Sequence, residues 1–242
     1  MTSEEWIATL FSTCVIIPAL NEENSIGSVV HSAKEYLPGS RVVVVDDGST
    51  DNTAERARAA GAVVLSLCMN LGIGGAVQTG FKYALAQGFE LALQIDGDGQ
   101  HDASEAHRLL EVVMSDNVDI VIGSRWLGRG SYIAPTHRRF GMKILEALVN
   151  WRAGSRYTDT TSGFRAFNHR AIALFAEHYP ADYAEAESIL WARHFGLIIE
   201  EVPVSMLRRE HGESSIRGVR TAYFMLRIIM ELCIGTIGGD YK

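Results

Sequence analysis

A chain of 242 residues with 47% apolar and 21% charged side chains has the make-up of an ordinary globular domain, which excludes disorder as the dominant state. Its net charge of −7 argues against nucleic acid as the main partner, because a phosphate-backbone binder carries a basic excess. The arginines are nevertheless uneven, crowding into 125–165 and 208–227, and that bias implies a local anion site on an acidic protein.

The N-terminus, MTSEEWIATLFST, lacks the basic start and long apolar run of a secretory leader. Residues 13–17 form a short apolar, β-branched run, predicted as a strand ended by Pro18. Residues 25–37 have helical spacing, with Ile26, Val29, Val30, Ala33 and Leu37 on one face. Val42, Val43, Val44 and Val45 are apolar throughout, as expected of a strand buried on both faces of a parallel sheet. That run stops at Asp46-Asp47-Gly48-Ser49-Thr50-Asp51, a turn with helix-capping residues.

The alternation continues with helix over 53–60, strand over 62–67, helix over 75–86, strand over 91–95, helix over 103–114 and strand over 118–122. Strands alternating with helices across short connections predict an α/β fold, a doubly wound and mostly parallel sheet flanked by helices. Ligands of such sheets bind beyond the carboxyl ends of the strands, and each chemically suggestive segment here follows a strand. Helices over 139–152 and 183–195 and a strand over 197–204 are predicted beyond. Without a linker or an internal repeat, one domain is the simplest organisation. Its parts are a donor half over about 13–123, an acceptor half over 124–215 and an apolar helix over 216–242.

Cys14, Cys68 and Cys233 are scattered and odd in number, as in a reduced cytoplasmic protein. No run of about 18 uninterrupted apolar residues marks a spanning helix. The apolar C-terminal stretch could lie peripherally in a membrane interface, pack in a homo-oligomer or dock on the core.

The strongest chemical signal is Leu93-Gln94-Ile95-Asp96-Gly97-Asp98-Gly99-Gln100-His101. Two carboxylates two residues apart, just past a buried strand, with the Gln100 carbonyl, make an all-oxygen ligand set suited to Mg²⁺ or Mn²⁺. The competing reading is a plain Asp-Gly turn. Pro18-Ala19-Leu20-Asn21-Glu22-Glu23 and Val45-Asp46-Asp47-Gly48-Ser49 follow the first two strands and would share that sheet edge. A buried Asp46 or Asp47 could accept from a base N–H or a ribose hydroxyl, or merely cap the next helix. Asn70-Leu71-Gly72-Ile73-Gly74-Gly75 departs from G-x-G-x-x-G and follows the third strand, so a nicotinamide dinucleotide is rejected. Its glycines are expected to let a helix start tightly against the nucleotide edge.

PALNEEN at 18–24, VDDGSTD at 45–51, NLGIGGAVQTGF at 70–81 and DGDGQHD at 96–102 resemble the inverting family-2 glycosyltransferases, which have a GT-A-type fold. Gly123-Ser124-Arg125, Arg138-Arg139, the run from Asp159 to Arg165, and Glu201-Val202-Pro203-Val204 followed by Arg209 and Gly212-Glu213-Ser214 resemble the dolichyl- or polyprenyl-phosphate mannosyl and glucosyl transferases. The resemblance implies metal ligands at Asp96, Asp98 and Gln100 and nucleotide contacts at Pro18, Leu20, Glu22 and Asp47, with Asp46 beside them. It implies anion-binding arginines at Arg125, Arg139 or Arg138, and Arg209. Where some members carry a lysine this chain has Ser215, so the phosphate grip there would rest on Arg209, Ser214 and Ser215.

The implied reaction moves a sugar from a UDP- or GDP-sugar to a lipid phosphate. A phosphate acceptor needs no general base, whereas a hydroxyl acceptor does. Glu185 and Glu187 are the candidates in that second case, and two residues apart on a helix they do not share a face. A structural or arginine-orienting role is favoured for Glu187. A nucleotidyltransferase is disfavoured, because the loop after the first strand is PALNEEN instead of a glycine-rich basic loop; a non-catalytic nucleotide-sugar binder stands as the lesser alternative.

Overall fold

The computed structural model describes residues 3–115, 117–127, 136–181 and 184–207, with side chains from residue 5 onward and outside 136–142. Seven strands form one sheet: β1 (Thr13–Ala19), β2 (Arg41–Asp46), β3 (Val63–Ser66), β4 (Leu91–Gln94), β5 (Ile120–Ser124), β6 (Arg165–Asn168) and β7 (Ile199–Pro203). Their spatial order is β3-β2-β1-β4-β6-β5-β7. Only β6 runs antiparallel, against both β4 and β5. The helices are α1 (Ser3–Phe11), α2 (Ile26–Tyr36), α3 (Thr53–Ala59), α4 (Gly72–Ala86), α5 (Ala106–Val113), α6 (Thr136–Ala153), α7 (His169–Glu177) and α8 (Ala184–His194).

Strands β1, β2, β4 and β5 are closed to water on both faces for nearly their whole length, which is why they are apolar runs and not alternating ones. Ile16, Val43, Val45 and Ala92 face a core shared with Phe81 of α4, Phe175 of α7 and Ile189 of α8. Val15, Ile17, Val44 and Leu93 face the other, with Ile26 and Val30 of α2 and Leu109 and Leu110 of α5.

The strand expected to stop at Pro18 runs on to Ala19. Backbone groups alternate sides along β1: Ile16 C=O accepts from Ile95 N–H, while Ala19 C=O accepts from Asp47 N–H. The N–H that Pro18 lacks therefore falls on the β4 side, where β4 has already ended at Gln94, so the ladder loses little.

Three elements were not read from the sequence: α1, β6 and α7. The helix expected over 103–114 divides into a 3₁₀ turn, Ala103–Glu105, and α5. Helix α4 begins at Gly72, three residues before its expected start, and two of its glycines make close contacts that periodicity did not indicate. A Cβ on Gly74 would lie 2.1 Å from the Pro180 carbonyl oxygen, and one on Gly80 would lie 2.3 Å from Ile16 Cγ2. Two of these glycines let α4 lie tightly on β1 and on the 180–181 loop.

Candidate active site

Every described candidate from the strand-end motifs lies at the carboxyl ends of β1, β2, β4 and β5. The loops after β1 and β2 are laced together. Asn21 adopts φ 56, and its Oδ1 accepts from Thr50 N–H at 2.9 Å while its own N–H donates to Ser49 Oγ at 2.9 Å. Glu22 N–H donates to Thr53 Oγ1 at 2.8 Å. Leu20 is 41% exposed on this edge.

Asp46 and Asp47 are both buried and have separate local partners. Asp46 Oδ1 accepts from Ser49 N–H at 3.0 Å, closing a turn. Asp47 Oδ1 accepts from Leu71 N–H at 2.7 Å. Capping was the competing expectation, but the helix that Asp47 caps is α4, not the next one in sequence. Burial pushes the Asp47 carboxyl above its ordinary range, and the N–H groups of Leu71 and Gly72 partly offset this.

The loop after β4 carries Asp96, Asp98 and Gln100. Gly99 turns it at φ 77, and Asp98 Oδ1 accepts from Gln100 N–H at 3.0 Å. Ser25 Oγ lies 2.8 Å from both the Gly97 carbonyl and a Glu22 carboxylate oxygen, tying this loop to the one after β1. Its single proton serves one of them at a time. The Asp96 side chain keeps 36% of its surface exposed. Among the described residues, no three His, Cys, Asp or Glu side chains form a metal cage. Asp96, Asp98 and Gln100 stand together on this one loop, and two carboxylates with an amide oxygen are donor types that fit a hard dication.

His101, quoted with this motif but given no role from sequence, is buried behind Asp96. Its Nδ1 accepts from Asp96 N–H at 3.0 Å, and its ring stacks on Phe164 with centroids 5.1 Å apart. Burial lowers its pKa to about 4, with the Asp98 charge opposing the shift, so the ring is neutral near pH 7.

At the end of β5, Arg125 is forked onto Asp159: Nε donates to Oδ2 at 2.6 Å and Nη2 to Oδ1 at 2.5 Å. Nη2 also reaches Thr161 Oγ1 at 2.7 Å. Glu201 on β7 supports this pair from behind, its carboxylate accepting from the N–H groups of Thr158 and Asp159. Burial raises the Glu201 carboxyl, opposed by those same N–H groups. Asp159 and Glu201 stand in motifs visible in the sequence, but their pairing needed the fold.

Arg165, in the same motif, is a buried structural cation, not a surface anion site. It donates to the carbonyls of Ser162 and Glu185 and to Ser188 Oγ, at 2.7 to 2.8 Å. On α8, Arg165 thus meets the Glu185 main-chain carbonyl and the Ser188 hydroxyl. Burial raises the Glu185 carboxyl, and the nearby Asp96 charge adds to the shift. Arg138 and Arg139 fall within α6, but their side chains, like Arg209, Ser214 and Ser215 and the helix expected over 216–242, lie outside the described residues. Among the described residues no helix is long and apolar enough to cross a membrane.

Doubly wound order, an acidic loop past a central strand and one antiparallel strand beside it define a GT-A-type fold. Glucosyl-3-phosphoglycerate synthase from Mycobacterium tuberculosis, solved with Mn²⁺, uridine diphosphate and phosphoglyceric acid, superposes with a TM-score of 0.73 at 22% identity, over 96% of this chain and 81% of that one. Among curated proteins, the undecaprenyl-phosphate mannosyltransferase of Micrococcus luteus is 34% identical over 84% of this chain and 86% of its own length. The UDP-N-acetylglucosamine–dolichyl-phosphate N-acetylglucosaminyltransferase of Methanococcus voltae is 28% identical over 89% of this chain and 95% of its own length. The family described as glycosyl transferase family 2 matches residues 14–175. The chain belongs to that family, and it is a glycosyltransferase.

Proposed function

We propose that this enzyme transfers a sugar, with inversion, from a nucleoside-diphosphate sugar to a polyprenyl phosphate, using Mg²⁺ or Mn²⁺. The observation that carries the reading is the joining of the loops after β1, β2 and β4 into one hydrogen-bonded edge, with Arg125 at the end of β5. The two relatives differ in sugar, mannose against N-acetylglucosamine, yet both are named for lipid-phosphate acceptors, which supports the acceptor class more than any particular sugar.

In this reading Asp96, Asp98 and Gln100 hold the ion, and Pro18, Leu20, Glu22, Asp46 and Asp47 line the nucleotide. Bound there, the ion neutralises charge gathering on the leaving diphosphate. A phosphate oxygen of the acceptor attacks the sugar C1 while the C1–O bond to the diphosphate breaks, its electron pair staying on the diphosphate. No proton is abstracted, because the acceptor's second pKa of about 6 leaves it a dianion near neutral pH. Arg125, Arg139 or Arg138, Arg209 and Ser214 bring the two anions together. The Asp159 fork holds the Arg125 guanidinium in one pose, so phosphate capture is shared with the other arginines. Residues about 13–123 serve as the donor half and 124–215 as the acceptor half.

The structural neighbour was solved with phosphoglyceric acid, which carries a hydroxyl group, so a hydroxyl acceptor, such as a saccharide or small metabolite, is the second reading. The test is sugar transfer to a short-chain polyprenyl phosphate, to the matching polyprenol and to 3-phosphoglycerate. UDP- and GDP-sugars serve as donors, with Mn²⁺ or with excess EDTA. Transfer to the lipid phosphate, lost in EDTA, is expected. Reaction with the polyprenol or 3-phosphoglycerate alone would move the enzyme to the second reading.

A further inference from the structure

Asp96 is held from two sides by residues that bind no substrate in the reading above. On one side stands His101. A backbone N–H can only donate, so the Nδ1 that meets Asp96 N–H at 3.0 Å must be the acceptor. The neutral ring therefore carries its proton on Nε2, which lies 3.6 Å from Asp96 Oδ2. That separation is too long for a hydrogen bond as it stands, but bonds of this kind tighten in the liganded site. On the other side stands Gly163, where a Cβ would fall 2.5 Å from Asp96 Oδ1 and 2.9 Å from Oδ2. No side chain fits between that backbone and the carboxylate.

The ring is itself fixed. Phe164, next to Gly163, stacks on it with an interplanar angle of 16°. The backbone of His101 bridges Met206, and Leu207 N–H donates to the Gln100 carbonyl at 2.9 Å.

We propose that His101 is a positioning residue for Asp96, fixing its main chain through Nδ1 and aiming its carboxylate at the divalent ion through Nε2–H. This rests on the reading that Asp96 holds that ion. Groups that orient a ligand from behind, as His101 does here, typically set metal affinity by about 10- to 100-fold. A side chain that only fills space would change stability and leave that affinity alone.

The experiment is electron paramagnetic resonance titration of Mn²⁺ into the full chain with UDP, for wild type, His101→Phe and His101→Asn. Phe keeps the stack on Phe164 but has neither nitrogen. Asn places an acceptor near the Nδ1 position and nothing near Nε2, and it is the smaller disturbance should Phe prevent folding. Circular dichroism identifies the folded variants. Folded His101→Asn should bind Mn²⁺ roughly 10-fold or more weaker, and His101→Phe weaker still, within that same range. Wild-type affinity in either folded variant overturns the proposal and reduces His101 to packing. Failure of wild type to bind Mn²⁺ with UDP would overturn the metal reading itself and this inference with it. The two failures are told apart by the wild-type titration alone.

Discussion

At Arg125 and Asp159, charge, burial and position meet in one pair. The Asp159 side chain is 0% exposed and that of Arg125 10%, so neither charge is screened by solvent as a surface pair would be. Asp159 accepts from the Arg125 backbone N–H as well as from two guanidinium nitrogens. Removing one partner strands the other in a medium that solvates it poorly, at a cost of about 3–5 kcal/mol. Replacing both by apolar residues of similar size removes both charges and costs less than the two single losses added together. Urea denaturation of Asp159→Ala, Arg125→Met and the double variant measures this. Single-variant losses of only a few tenths, or strict additivity, would show that the pair contributes little. The same substitutions should leave UDP binding with Mn²⁺ near normal, because the fork lies on the acceptor side of the site in the proposed reading.

Among the elements, α2 and α4 both contain glycines at helical positions, and their surroundings predict opposite signs. Nothing lies within 4 Å of a Cβ built on Gly27, so Gly27→Ala in α2 should stabilise the protein by about 0.5–1 kcal/mol through backbone entropy. A Cβ on Gly80 meets Ile16 Cγ2 at 2.3 Å, and Gly80→Ala should destabilise by about 1–3 kcal/mol because β1 cannot retreat from a packed sheet. Thermal melts of the two variants decide it, and a stabilised Gly80→Ala would mean that α4 does not rest on β1 as described. A sequence cannot separate these two glycines, since helical periodicity says nothing of how close the facing strand lies. The same limit explains what was legible. β1, β2, β4 and β5 announce themselves as apolar runs because both faces are buried. β6 hides because only two of its residues are apolar and it begins with the buried Arg165, whose partners come from 160–162 and α8. α7 follows it directly, started by Asn168 Oδ1 accepting from Ala171 N–H at 3.0 Å, a cap recognised only once β6 is known. Asp96, Asp98 and Asp47 were legible from their place after strands. The His101 and Glu201 contacts were not, because each joins segments distant along the chain or across a turn of unknown shape.

For the molecule as a whole, ligand binding and folding should be linked through the joined strand-end loops. Donor nucleotide and ion are proposed to meet between the loops after β1, β2 and β4, and those loops are hydrogen-bonded to one another through Ser25, Asn21 and the Asp47 main-chain N–H. Unfolding scatters all three at once, so a ligand set that binds only the folded chain raises its stability by RT ln(1 + [L]/Kd), about 2.7 kcal/mol at a hundredfold excess over Kd. For a chain of this size, each kcal/mol moves the melting midpoint by about 2–4 °C, which gives a shift of about 5–11 °C with UDP and Mn²⁺ together. Either one alone should do far less. Without the ion the diphosphate faces Asp96 and Asp98 as like charges, and without the diphosphate the ion has only two carboxylates and an amide from the chain. Asp98→Ala should melt near the wild-type midpoint without ligands and lose most of the shift with them. Differential scanning fluorimetry over the four ligand conditions and both proteins is the measurement. An equal shift from UDP in EDTA, or a full shift in Asp98→Ala, would reduce Asp96 and Asp98 to a turn and return the metal reading to the plain Asp-Gly alternative.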